Sequence, residues 1–242
     1  MISAAKHGAV ETAFASINRR MIRRQFHCVH LRGTQHLECL DRSLPIIGFG
    51  NHSNWWDGLV DFYLGHDLLR VDSFMMVGER QLKRYPFFRW IGAFSVNRAS
   101  GRDLVASVDY AVRLFDRRNR LLWIYPQGEL LPNDFRPLKF LPGILRIAEK
   151  LEGVQLLPVV HRYEFLGEQR PEVFVNIGQP MTLKTRTKRE LFLEELQARL
   201  TGLLDETCRS ISGGKAGSSF TQVLHGRSST NVLFDRFRER MP

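Results

Sequence analysis

Four short apolar runs constrain this chain more than any other feature: LPIIGFG at 44–50, SFMMV at 73–77, LLWIY at 121–125 and LLPVV at 156–160. Each is strand-length and rich in branched or aromatic residues, the pattern of strands covered on both faces. Between them lie stretches with helical spacing. Residues 57–69, 80–91, 101–118 and 143–151 read as helices, and in 101–118 Leu104, Val108, Ala111, Val112 and Phe115 share one face. Residues 28–32, 94–96 and 172–177 add further strands. Residues 187–209 read as a long helix with Leu196, Leu200 and Leu204 in register. Such alternation predicts an α/β fold: a mixed, mostly parallel sheet flanked by helices. No internal repeat is present.

The two ends differ from this body. Residues 4–27 have Val10, Ala13, Phe14, Ile17 and Met21 at helical spacing, with Arg19, Arg20 and Arg23 off that stripe. This predicts an amphipathic basic helix, able to lie among lipid head groups or to pack on the main domain. After Ile211 the stretch SGGKAGSS reads as a flexible linker, and a basic, aromatic tail ends in FDRFRERMP. The division is therefore 1–27 amphipathic helix, 28–210 α/β domain, 211–242 linker and basic tail. Hydrophobic residues make up 43% of 242, enough to build one sizeable core. The formal charge is +10. Much of it gathers at the ends, where Lys6, Arg19, Arg20, Arg23, Arg24 and Arg32 face only Glu11. Basic ends on a near-neutral body suit an anionic partner, lipid head groups or nucleic acid. No apolar run approaches the ~18 residues of a membrane span, and the opening residues lack a signal-peptide core. Attachment to a membrane is thus expected to be peripheral. Three cysteines, Cys28, Cys39 and Cys208, show no metal-type spacing and fit a reducing compartment, so no metal is expected.

The segment NHSNWWDG, residues 51–58, leaves an apolar strand and enters a helix. Loops at strand exits are where α/β proteins place chemistry. His52 and Asp57 are five apart, so a carboxylate curling back can hold one imidazole nitrogen and free the other to take a proton. Spacing alone decides nothing, because His36 and Asp41 have the same separation.

Context does more. NHSNWWDG resembles the first block, His-x4-Asp, of the glycerolipid acyltransferase family, which acylates glycerol-3-phosphate and lysophosphatidic acid. Three later stretches resemble the family's other blocks, in its order: GAFSVNR at 92–98, YPQGEL at 125–130 and LLPVV around Pro158. The likeness covers most of residues 28–210.

The resemblance implies an O-acyltransferase. His52 is the implied general base and Asp57 its partner. A lipid hydroxyl would attack the thioester of acyl-CoA or acyl-carrier protein directly, as co-substrate, with no bound cofactor. Ser53, the neighbour of His52, is not used as a nucleophile in the family. Arg98 matches the arginine that meets the acceptor's phosphate, and a guanidinium fork suits that group. Gln127, Gly128 and Glu129 fall in the substrate-binding third block, where backbone N–H groups near Gly128 are candidate oxyanion donors. That block departs from the pattern: Gln127, Glu129 and Leu130 stand where the family has Glu, Thr and Arg. Losing the Arg removes one phosphate-directed cation, unless Arg136 or Lys139 reaches back. The expected acceptor is therefore a lysophospholipid with a larger head group, or an uncharged glycolipid or carotenoid-type alcohol. Trp55, Trp56 and QLKRYPFFRW at 81–90 are either interfacial contacts or ordinary packing. Membrane lipids and the acyl donor are the expected partners, at the cytoplasmic face of a membrane. A thioesterase or lipid hydrolase on the same fold and a non-catalytic basic membrane- or nucleic-acid-binding protein are the alternatives, though no nucleic-acid motif is found.

Overall fold

The computed structural model describes residues 1–183, 189–227 and 238. The elements run α1 (Gly8–Gln25), β1 (Cys28–Arg32), α2 (Gln35–Glu38), β2 (Ile46–Gly50), α3 (Asp57–Tyr63), β3 (Asp72–Gly78), α4 (Glu79–Arg84), β4 (Ala93–Val96), α5 (Gly101–Arg113), β5 (Arg120–Ile124), α6 (Gly143–Ala148), β6 (Val154–Glu164), β7 (Glu172–Ile177), β8 (Met181–Leu183), α7 (Arg189–Ser212), α8 (Ala216–Ser219) and β9 (Thr221–His225). A π-helical turn, Leu64–Leu69, continues α3, and a 3-10 turn, Pro86–Ile91, leads into β4.

The strands form one sheet in the order β4-β3-β5-β2-β6-β7-β1-β9, with β8 beside β6. The pairs β4–β3, β3–β5, β5–β2, β2–β6 and β7–β1 are parallel; β6–β7, β1–β9 and β6–β8 are antiparallel. The sheet is thus mixed and mostly parallel, flanked by helices. Every residue of β2 is buried. The continuous apolar runs are explained by the two-residue period of a strand, which divides each run between two cores. Ile47, Phe49, Leu122, Ile124 and Leu156 face α5, α6 and α7. Ile46, Leu121, Trp123, Leu157 and Val159 face α1 and α3. Gly48 is opposite Trp123 in the β2–β5 register, and a Cβ there would collide with the indole ring. A bare backbone lets the indole cross the strand.

Residues 1–25 and 216–225 are built into this body. Residues 1–7 are not helical: Ser95 N–H donates to Ile2 O at 2.8 Å, and Ala5 N–H to Arg89 O at 2.9 Å, which holds the segment extended beside β4. In α1 the buried residues are Ala15, Asn18 and Ile22. Phe14 meets Phe62 edge-on at 5.1 Å, and Asn18 Nδ2 donates to Leu59 O at 2.8 Å. The packed face is therefore rotated from the predicted stripe, and Ile17 is 54% exposed. The Gly/Ser stretch read as a linker leads through α8 into β9, whose Leu224 is buried against β1. The basic tail beyond it lies outside the described residues, apart from the exposed Arg238. No helix among the described residues is long and apolar enough to cross a membrane.

Candidate active site

Strand β2 lies between β5 and β6, while the chain returns to the sheet on both sides of it. The loop after Gly50 therefore leaves at the crevice where strand order reverses, the usual ligand position in such sheets. Asn51 locks the loop to β6: its Nδ2 donates to His161 O at 2.9 Å and its Oδ1 accepts from His161 N–H at 2.8 Å. Asn51 Nδ2 also donates to Asn133 Oδ1 at 3.0 Å. His52 is held at both backbone polar groups. Its N–H donates to Gln127 Oε1 at 2.9 Å, and its O accepts from Leu131 N–H at 2.8 Å.

Asp57 opens α3 with no exposed surface. Its Oδ2 accepts from His52 Nδ1 at 2.8 Å, Ser53 N–H at 2.8 Å and Asn54 N–H at 2.9 Å. Its Oδ1 accepts from Tyr163 OH at 2.6 Å. Burial alone would raise this carboxyl's pKa, but the His52 hydrogen bond, His161 and Tyr163 outweigh it and leave the pKa lowered. An ionised carboxylate on Nδ1–H fixes the tautomer, so Nε2 can accept a proton. The control pair behaves otherwise. His36 Nδ1 bonds Ile177 O at 2.8 Å, while Asp41 Oδ1 accepts from Ser43.

His52 borders a cavity of about 620 Å³. Much of its wall is apolar, including Phe62, Met75, Ile91, Val108 and Ile144. Trp55, Arg98, Gly128 and Glu129 line it as well; Gln127 does not. Gln127 is buried, and its side-chain oxygen serves the His52 backbone rather than facing the cavity. Arg98 Nη2 donates to Gly128 O at 2.9 Å. Gly128 has φ +74°, and a Cβ there would collide with that guanidinium. The Gly128 N–H donates to Tyr125 O at 3.0 Å, so this turn already uses the proposed oxyanion donor. Arg136 does not reach back: it bonds Asp205 and the carbonyls of Asn133 and Phe135. Lys139 is exposed and is not a lining residue. The second lining arginine is Arg146 on α6, which the sequence reading missed because no motif marks it. Ser53 Oγ is buried with no hydrogen-bond partner among the described residues, unlike an activated nucleophile. Trp55 is 41% exposed, whereas Trp56 packs edge-on against Phe26 at 5.1 Å.

The crystal structure of the 1-acyl-sn-glycerophosphate (LPA) acyltransferase PlsC from Thermotoga maritima is similar in fold, with a TM-score of 0.59 over 83% of this chain and 78% of that one, at 15% identity. No curated protein sequence matches the chain. The family model for acyltransferases matches residues 29–162, which holds β1, the His52 loop and the strands β2 to β5 with most of β6. The chain belongs to the acyltransferase family.

Proposed function

We propose that the protein moves a fatty acyl group from acyl-CoA or acyl-carrier protein to the hydroxyl of a lysophospholipid or other lipid alcohol, with His52 as general base. One observation carries this reading: His52, bonded to the buried Asp57 at 2.8 Å, borders a largely apolar cavity able to accept an acyl chain. The acceptor hydroxyl gives its proton to His52 Nε2 as its oxygen attacks the thioester carbon. The C–S bond then breaks and the proton leaves with the thiol. Asp57 stabilises the transient imidazolium.

The lipid partner is supported by exposed apolar side chains at the cavity. Trp55, Leu130 and Leu141 are 41%, 54% and 39% exposed and also line it. Ile17, Phe87 and Trp90 are further exposed apolar residues. With the basic residues of α1 they suit peripheral seating on an anionic bilayer, at the cytoplasmic face. The altered third block, with Leu130 in place of Arg, favours an acceptor with a larger head group than lysophosphatidic acid, or an uncharged lipid alcohol.

The test is an acceptor screen with labelled acyl-CoA, lysolipid vesicles and mass spectrometry of the products. Acylated lipid is expected from the wild type, with at least a ~10²-fold loss in His52→Ala. Retained turnover in that variant, or free fatty acid as sole product, would refute the reading.

A further inference from the structure

Asp61 lies one helical turn beyond Asp57 on α3 and is likewise fully buried. A second carboxylate in such a place is costly unless both its oxygens are engaged. They are. Oδ1 bonds His161 Nε2 at 2.8 Å, and Oδ2 accepts from Tyr125 OH at 2.6 Å. Tyr125 in turn lies face to face with the His52 imidazole, ring centroids 4.2 Å apart and planes within 9°. His161 has no exposed surface, and its backbone is the group that Asn51 clasps on both sides. Residues from α3, β6 and the end of β5 thus converge under one side of the base. Neither Asp61 nor His161 lines the cavity.

We infer that Tyr125, Asp61 and His161 form a positioning chain for His52, distinct from the Asp57 contact and serving the same base. The inference rests on the reading of His52 as that base. Asp57 holds one ring nitrogen, but a single hydrogen bond leaves the imidazole free to tilt about it. The Tyr125 face removes that freedom by fixing the plane of the ring. A phenol donating its proton to a carboxylate oxygen also has an electron-rich face. That face is attractive to the imidazolium that forms when the acceptor loses its proton. His161 anchors Asp61 so that its carboxylate stays directed at Tyr125. No proton moves along this chain; the acceptor's proton goes to His52 Nε2 and leaves with the thiol.

Three variants of the full chain test this with the acceptor found in the screen. Tyr125→Phe keeps the ring and removes the hydroxyl. Asp61→Asn keeps the shape and removes the charge. His161→Phe removes the ring nitrogen that bonds Asp61 and so cuts the anchor. Each is expected to lower kcat by about 3- to 30-fold with KM for both substrates unchanged. In Tyr125→Phe and Asp61→Asn the acid limb of the kcat profile should move to lower pH, because the imidazolium is less stabilised. Among the described residues, the titratable or charged groups around His52 and its cavity are Asp57 and Asp61 from α3, Tyr163 and His161 from β6, Tyr125 and Glu129 after β5, Arg98 after β4 and Arg146 from α6. The first two variants combined should be no worse than the weaker of them alone. Should Asp61→Asn fail to fold, Tyr125→Phe decides the matter. A Tyr125→Phe enzyme with wild-type kcat and an unmoved acid limb overturns the chain, provided His52→Ala is inactive. Turnover retained by His52→Ala overturns the base assignment itself.

Discussion

Asp57 takes four hydrogen bonds on two oxygens, and each donor comes from a different residue. At the scale of single residues this explains why a fully buried carboxylate stays charged beside His52. Tyr163 supplies the donor to Oδ1 from β6, more than a hundred positions away in sequence. Tyr163→Phe removes only that donor and leaves a buried acceptor unmatched. The expected cost is about 1–3 kcal/mol in unfolding by denaturant, with reduced turnover; an unchanged midpoint would show that Asp57 finds another donor. The His52–Asp57 pair was legible in the sequence because it follows a strand exit and opens the first of four blocks in order; the spacing alone is shared by His36 and Asp41. Tyr163, Asp61 and His161 were not legible. Their roles depend on β6 running past the end of β2, which no local pattern reveals. Gln127 shows the same limit: its place in the third block was visible, but its bond to the His52 backbone depends on how two loops meet.

Elements behave differently. Strand positions were readable because apolar runs of strand length leave few alternatives, and β3, β5 and β7 fall within a residue or so of expectation. Helix α1 was readable as a helix but not in its orientation. Val10, Ala13, Phe14, Ile17 and Met21 suggested one stripe, whereas the packed face is set by what α3 offers: a carbonyl at Leu59 for Asn18 and a ring at Phe62 for Phe14. Strand β9 was missed because Thr221–His225 sits just after a Gly/Ser stretch and only pairing with β1 gives it order. The rotation of α1 also separates two roles that one helix can serve. Ile22, 1% exposed, belongs to the core; Ile17 faces outward among Arg20 and Arg24. Ile17→Glu should therefore weaken co-sedimentation with anionic vesicles while changing stability by no more than about 0.5 kcal/mol. Equal sedimentation of the variant and the wild type would mean that α1 serves only as packing.

For the molecule as a whole, the buried ionisable groups set the dependence of stability on pH. Burial lowers the His161 pKa, but Asp61 and Asp57 more than restore it, and the result lies above the ordinary 6.5. A raised value means stability present below pH 6.5 and lost as His161 deprotonates on the alkaline side. Burial pushes His30 the other way, below 6.5 despite Glu172, so its contribution is present above 6.5 and lost as it protonates on the acid side. Asp57, lowered from 3.8, adds a loss at stronger acid as it protonates below that value. Cys28, pushed up by burial to about 11, adds a loss beyond pH 9. Thermal melts from pH 3 to 10 should therefore show a maximum near 6.5, and a melting temperature rising steadily from pH 5 to 9 would contradict these assignments. Strand order has a consequence of another kind. Of the nine strands described, β1 leaves the ribosome before the others, yet its neighbours are β7 and β9, late in that order. At about 5–20 residues per second, β7 follows only after an interval on the order of ten seconds. Val29 and Leu31, buried in the finished sheet, wait through that interval without a partner strand. The strand made first of these nine is among the last to be sheltered, so the nascent protein depends on whatever shields apolar segments while synthesis continues.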